Sequence, residues 1–268
     1  MNIKLQRPHS ISEIGKRINN EDSVFPRDED VSSDDRLFLV CDGVGGSNKG
    51  EVASALACDA IHTYFDSFID HAASFEPDFI EKAVRYAETR FDEQVAENHS
   101  AKGMATTLCL LYVTDEGIYA AHAGDSRIYQ FRGGEILFRT EDHTLVNLWV
   151  KTGQITTEEA LVHPQKNVIL QALQGTKNPV EVEVAKITNV EPDDVFLMCS
   201  DGVTETFSDK ELCAVMAENN SIEDKMEKIH SACRRKSRDN YSAYLIPVRE
   251  VNKENVIKQV FATLFSFI

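Results

Sequence analysis

Apolar positions along this chain follow two different repeats, and the repeats come in blocks. Leu37 to Cys41 is an unbroken apolar run that predicts a buried strand, and it stops at Asp42-Gly43-Val44-Gly45-Gly46. Beyond it, Val52, Ala53, Leu56, Ala57, Ala60, Ile61, Tyr64 and Phe65 recur at the spacing of one helix face, and Ile80, Ala83, Val84, Ala87, Phe91 and Val95 repeat the pattern. Two long amphipathic helices in succession are therefore expected. Strand-like runs follow at Thr106 to Val113, Gly117 to Ala123 and Ile128 to Phe131, the last joined through Gly133-Gly134 to Ile136 to Phe138 as a hairpin. These connections are too short for parallel crossovers, so antiparallel pairing is predicted.

From Asp142 to about Gly175 the pattern turns polar and broken, with short helical pieces around Leu145 to Val150 and Thr156 to Leu161, as in an inserted flap. Val180 to Ile187 and Val195 to Cys199 resume the sheet, helices are expected over Asp209 to Ala217 and Ile222 to Arg235, and Tyr241 to Val248 closes it. Clustered strands with paired helices imply an α+β layered fold. The acidic stretch Asp28 to Asp35 reads as a solvated loop between two strands. One domain is expected to end near residue 250, leaving an apolar tail over 251–268. As a helix, Asn255 to Ile268 would bring Val256, Val260, Leu264 and Phe267 together, to dock on its own domain or on a partner.

Charge and cysteine content narrow the functional classes. A formal net charge of -16 over 268 residues leaves no basic stripe for nucleic acid or for an anionic membrane surface. Cys41, Cys109 and Cys199 sit inside apolar runs, and no Cys-x-x-Cys or zinc spacing occurs among the six cysteines, so reduced core thiols are expected. The opening residues lack a signal-peptide pattern and no stretch approaches the roughly 18 apolar residues of a membrane span, so the cytoplasm is the expected compartment.

Candidate chemistry lies at the strand ends. Two apolar runs lead into Asp-Gly, at Asp42-Gly43 and at Asp201-Gly202. An isolated Asp-Gly is usually a turn, because glycine accepts positive φ and aspartate caps backbone amides. Two matching instances, with Asp239 before a further strand and Asp125 at the junction of two others, suggest convergent carboxylates. Hard oxygen ligands suit Mg²⁺ or Mn²⁺, and the Gly43 carbonyl offers one more. Two such ions about 3.5–4 Å apart can activate a bridging water for attack on phosphorus. No cysteine has an arginine six positions later and no Gly-x-Ser-x-Gly elbow occurs, so covalent nucleophiles find no support. Gly45 to Gly50 has phosphate-loop spacing but continues Glu51-Val52, and Gly43-Val44-Gly45 has Asn48 where a dinucleotide loop needs glycine.

Arg17 is the candidate phosphate clamp, since a guanidinium grips phosphate oxygens in pairs; an ordinary surface arginine is the competing reading. His122, near Asp125, and His143, beside Asp142, are read as structural histidines in preference to proton carriers.

The chain resembles the PPM family of metal-dependent protein phosphatases, the protein phosphatase 2C type, and its compact bacterial members in particular. The resemblance runs from about Ile11 to Val248 through Arg17 with Asn20-Glu21-Asp22-Ser23, Asp42-Gly43-Val44-Gly45-Gly46 with Gly50-Glu51, Ala105-Thr106-Thr107, Gly124-Asp125-Ser126-Arg127, Ser200-Asp201-Gly202 and Asp239-Asn240. It implies a four-layer α-β-β-α sandwich of two antiparallel sheets flanked by helix pairs. It further implies that Asp42 bridges two metals, Gly43 adds its carbonyl, Asp201 and Asp239 complete one shell, Asp22 supports the site, and Asp125 helps hold a weaker third ion. Arg17 then holds the phosphate of a phosphoserine or phosphothreonine protein, made by a bacterial-type kinase, and the chain acts as a monomer. Val44 stands where eukaryotic members place a histidine proposed as general acid. Two other readings share the fold: a binding module without turnover, and a hydrolase of small phosphate esters.

Overall fold

Strands buried on both faces read as continuous apolar runs, and in the computed structural model they become the centres of two sheets. The residues described are 2–27, 29–44, 49–69 and 75–252. In chain order the strands are β1 (Asn2–Leu5), β2 (His9–Glu13), β3 (Asp22–Phe25), β4 (Leu37–Val44), β5 (Ala105–Thr106), β6 (Leu108–Thr114), β7 (Gly117–Ala123), β8 (Arg127–Arg132), β9 (Glu135–Arg139), β10 (Glu183–Ile187), β11 (Val195–Cys199) and β12 (Tyr241–Asn252). The helices are α1 (Lys49–Phe68), α2 (Asp78–Glu97), α3 (Leu145–Lys151), α4 (Thr157–Val162), α5 (Asp201–Thr204), α6 (Asp209–Ala217) and α7 (Ile222–Lys236). One sheet has the order β1-β12-β11-β8-β9 with β2 on β12, the other β10-β7-β6-β4-β3 with β5 on β4. The pairings within them are antiparallel, and for the β6–β7 and β8–β9 hairpins the short connections require it.

Alternation along β4 and β11 builds the layers. Phe38 and Val40 meet Phe196, Met198, Tyr244 and Ile246 between the sheets. Leu37, Leu39 and Cys41 point the other way, onto Ala53, Ala57, Ile61 and Phe65 of α1 and Ala83, Ala87 and Phe91 of α2. Leu197 and Cys199 face Leu212, Met226, Ile229 and Cys233 of α6 and α7. Three apolar interfaces thus separate four layers, the α-β-β-α sandwich expected from the resemblance. All six cysteines are free thiols. No helix among the described residues is long and apolar enough to cross a membrane.

Several expectations shift. The buried face of α1 is turned from the predicted one: Val52 is exposed, while Gly50, Ser54 and Cys58 are inside. The cause is local, because the Ser54 hydroxyl donates to the Glu21 carbonyl at 2.6 Å and holds that face against β3. The run from Thr106 to Val113 is two strands broken at Thr107. β10 begins at Glu183, because the Val180 amide donates instead to Glu88 of α2 at 2.7 Å. β12 runs on to Asn252, so residues 251–252 belong to the sheet and pair with β1. Within the acidic loop Val31 is buried, so that stretch is anchored as well as solvated. In the flap segment α3 and α4 lie where expected, and Leu173 at its end is fully buried in the core beneath α1 and α2. The predicted helix over Asn255 to Ile268 lies outside the described residues.

Candidate active site

The site forms where ends of both sheets meet, and each aspartate is set by its own backbone. Antiparallel pairing of β3 with β4 puts Asp22 opposite Asp42. Asp42 and Gly43 lie within β4, which continues to Val44 and pairs there with β5. The break at Thr107 is what holds Asp42: its N–H donates to Thr107 Oγ1 at 2.9 Å, and its carbonyl accepts from the Thr106 hydroxyl and the Thr107 amide, each at 2.8 Å. A Cβ on Gly43 would stand 2.2 Å from the Gly50 carbonyl oxygen, so glycine is required for α1 to start against the strand. The second Asp-Gly is built differently, since Asp201 and Gly202 open α5 directly after β11. The two matching motifs are therefore not equivalent turns, although both carboxylates reach the same place.

Asn240 ties the remaining pieces together. Its side-chain amide donates to the carbonyls of Ile14 and Asn19, and its oxygen accepts from the Glu21 amide. The loop carrying Arg17 is thereby clipped to the start of β12, and the Asn240 amide in turn donates to Asp239 Oδ1 at 2.8 Å. Arg17 donates to Asp239 Oδ2 in a short charge-assisted contact that raises the guanidinium pKa further. Across the sandwich, the Ser200 hydroxyl donates to Asp22 Oδ2 at 2.7 Å and accepts from the Ser242 amide at 2.9 Å.

The carboxylates are held against their own charge. Burial, then the field of Asp22, Asp201, Asp125 and Asp239, pushes Asp42 well above the carboxylate range. Asp201 is raised in the same way, by burial and then by Asp125, Asp239 and Asp22. Burial lifts Asp22 and Asp125 to about 6. One oxygen of each of those two, Asp22 Oδ1 and Asp125 Oδ1, is buried and accepts no hydrogen bond. Crowded anionic oxygens with buried, unsatisfied lone pairs are the donor set of a hard divalent cation, so the residues fit Mg²⁺ or Mn²⁺. Among the described residues no three of these aspartates bring oxygens within 4.8 Å of one another. That spacing suits ions that retain much of their water.

The flap is rooted beside Asp125. Arg127 grips Asp142 through two bonds, Nε to Oδ1 at 2.6 Å and Nη2 to Oδ2 at 2.7 Å. Tyr129 and Arg139 both donate to Asp209 at the start of α6. Between flap and helices runs an open groove of about 600 Å³ that reaches Asp125 and Asp201 and is lined by Val146, Leu161, Phe207 and Asp209 among others. His122 and His143 are not the isolated histidines expected from sequence, for their rings stack with centroids 4.5 Å apart. Ser200, Ser242, Thr107 and the side chain of Asn240 were not predicted as site residues. Places inside the Ala-Thr-Thr, Ser-Asp-Gly and Asp-Asn motifs signalled Thr107, Ser200 and Asn240, while Ser242, two residues past Asn240, carried no signal.

Known proteins share this architecture. A family model described as protein phosphatase 2C matches residues 11–245. A protein phosphatase named PhpP, from Streptococcus pneumoniae serotype 2, is 33% identical over 250 residues, covering 91% of this chain and 98% of its own. Among solved structures, the Mycobacterium tuberculosis serine/threonine phosphatase PstP/Ppp superposes with a TM-score of 0.80 at 29% identity, over 92% of this chain and 100% of that one. A structure of the catalytic domain of PstP in complex with 2 manganese ions gives a TM-score of 0.77 at 28% identity, over 93% and 100% of the two chains.

Proposed function

Because this chain belongs to the protein phosphatase 2C family, we propose that it hydrolyses phosphoserine and phosphothreonine in other proteins at the aspartate site around Asp42. The observation that carries this reading is the pair of orphaned buried oxygens on Asp22 and Asp125 within a set of mutually repelling carboxylates. Asp42, the Gly43 carbonyl, Asp201 and Asp239, with support from Asp22, would hold two Mn²⁺ or Mg²⁺ ions, and Asp125 a weaker third. Bound there, such ions supply Lewis-acid stabilisation of phosphoryl oxygens and lower the pKa of a water.

The chain's own residues then bind and aim the substrate. Arg17 stands at the mouth with over half its side chain exposed, and its guanidinium can leave Asp239 to take two phosphate oxygens. Asn240 keeps the Arg17 loop in place while that exchange occurs. Val44 offers no proton, so the leaving group takes none from the position where eukaryotic relatives carry histidine.

The groove between flap and α5–α6 favours a polypeptide substrate over a small ester, because it extends from Asp125 and Asp201 past apolar and charged side chains. Phosphoproteins made by a bacterial-type serine/threonine kinase are the proposed substrates, met in the cytoplasm by a monomer. Free buried thiols agree with a reducing compartment.

The test is phosphate release from a phosphothreonine peptide and from a small phosphate ester, each with Mn²⁺, with Mg²⁺ and with excess chelator. Turnover that needs metal and favours the peptide is expected. Metal-independent turnover, or preference for the small ester, contradicts the proposal.

A further inference from the structure

The stacked histidines at the flap root form, with Glu183, a second cluster of ligand atoms apart from the aspartates. His122 in β7 and Glu183 in β10 are direct partners across the antiparallel pair, and His143 lays its ring on His122 from the start of the flap. One nitrogen of each histidine and a carboxylate oxygen of Glu183 lie within 4.8 Å of one another, the one such trio among the described residues. His143 Nε2 and Glu183 Oε1 stand 3.2 Å apart. Two ligand atoms with bonds of about 2.0–2.1 Å to a tetrahedral centre are about 3.3 Å apart, so this pair already has the required separation.

The surroundings fix both rings in place and hold His122 in the tautomer a metal site needs. His122 is only 2% exposed, and its Nε2 faces the Glu141 carbonyl at 2.9 Å. A carbonyl opposite Nε2 fixes the proton there and leaves Nδ1 with the lone pair, the arrangement that holds a metal-bound imidazole in place. Burial lowers the His122 pKa, which keeps the ring neutral and able to coordinate. His143 is held twice by Gly124, donating its amide to the Gly124 carbonyl at 2.9 Å and accepting the Gly124 amide on Nδ1 at 3.3 Å. Its Nε2 proton therefore faces Glu183. Coordination through Nε2 moves that proton to Nδ1 and gives up the long bond from Gly124, one residue before Asp125. The Glu183 side chain is 62% exposed, which opens a path from solvent.

Two imidazoles and one carboxylate select a different ion from the all-oxygen aspartate site, favouring zinc and its borderline neighbours over Mg²⁺ or Mn²⁺. We propose that His122, His143 and Glu183 bind one Zn²⁺-class ion, which fastens the root of the flap to the β7–β10 edge of the sheet. The proposal does not depend on the phosphatase reading, because none of the three residues belongs to the aspartate site.

Cobalt is the probe, added to the full chain in the presence of excess Mg²⁺. Four-coordinate Co²⁺ with nitrogen ligands absorbs strongly in the visible, whereas six-coordinate Co²⁺ among oxygens absorbs weakly. One equivalent of strong absorption is expected in the wild type and in Asp42→Asn alike, abolished by Zn²⁺. It is lost in Glu183→Gln and His143→Gln, each checked for native far-UV circular dichroism; His122 is left alone because its burial makes substitution a folding risk. Strong bands that survive both substitutions, bands that vanish in folded Asp42→Asn, or weak absorption only from the wild type would each overturn the site.

Discussion

Ser200, at the end of β11 in one sheet, donates its hydroxyl to Asp22, in β3 of the other, across 2.7 Å. The same oxygen accepts from the Ser242 amide, so one buried hydroxyl joins both sheets exactly where the carboxylates gather, and it does so beside an Asp22 whose second oxygen has no partner. Replacing Ser200 with alanine strands an amide and a carboxylate together. Loss of about 2 kcal/mol of stability is expected in chelator, from a charge-assisted bond and its unsatisfied partner. Denaturant melts and Mn²⁺ titration check this, and unchanged stability with unchanged affinity would contradict it.

Charge at the site makes a pH prediction with a definite sign. Asp125 is raised to about 6, against about 3.9 unfolded, so between those values the folded state binds more protons. Its contribution therefore destabilises as pH rises, fully so above about 6. His122, lowered by burial, acts oppositely on acidification, so the comparison is best made by substitution. Asp125→Asn is expected to raise the chelator-treated melting temperature by a few degrees at pH 7.5 and by less at pH 5. A lower melting temperature at pH 7.5 would show that burial and neighbouring charge do not penalise the Asp125 carboxylate.

Arg17 and Asp239 give a kinetic prediction. If Arg17 binds phosphate, Arg17→Ala weakens substrate binding by roughly 10- to 100-fold, the worth of a charge-assisted pair of bonds, and acts mainly through KM. Arg17→Lys keeps the charge but not the fork, and is expected to recover part of the loss. Equal kinetics for all three proteins would assign Arg17 to holding Asp239 alone.

Gly202 is a steric test of the strand-to-helix turn. A Cβ there would lie 2.0 Å from the Asn240 carbonyl oxygen, and a backbone atom cannot swing aside. Gly202→Ala is expected to cost about 1–3 kcal/mol and to weaken Mn²⁺ binding by shifting Asp201 against Asp239. A variant as stable as the wild type, with the same affinity, would show that the turn has room.

Much of this was legible in the sequence, and the limits have physical causes. Central strands such as β11 matched their apolar runs because both faces are buried. β1 and β2 were not read, since four or five residues with exposed alternate positions at sheet edges give little signal. The twist of α1 depended on a tertiary bond from Ser54 that periodicity cannot show. The aspartates were visible as strand-end carboxylates. Their holders were not, because Thr107, Ser200 and Asn240 act through backbone partners brought close only by the fold. For the same reason His122 and His143, far apart in type of element, looked solitary.

Asp42 is the most direct point at which to test the account, because it sits opposite Asp22, is repelled by every other carboxylate of the site, and is proposed to bridge both ions. The measurement is phosphate release from a phosphothreonine peptide by Asp42→Asn and wild type with saturating Mn²⁺, with circular dichroism on both. The expected result is a folded variant with turnover reduced by about a hundred- to a thousandfold, the scale of losing one principal transition-state stabiliser. A folded variant that retains wild-type turnover would contradict it.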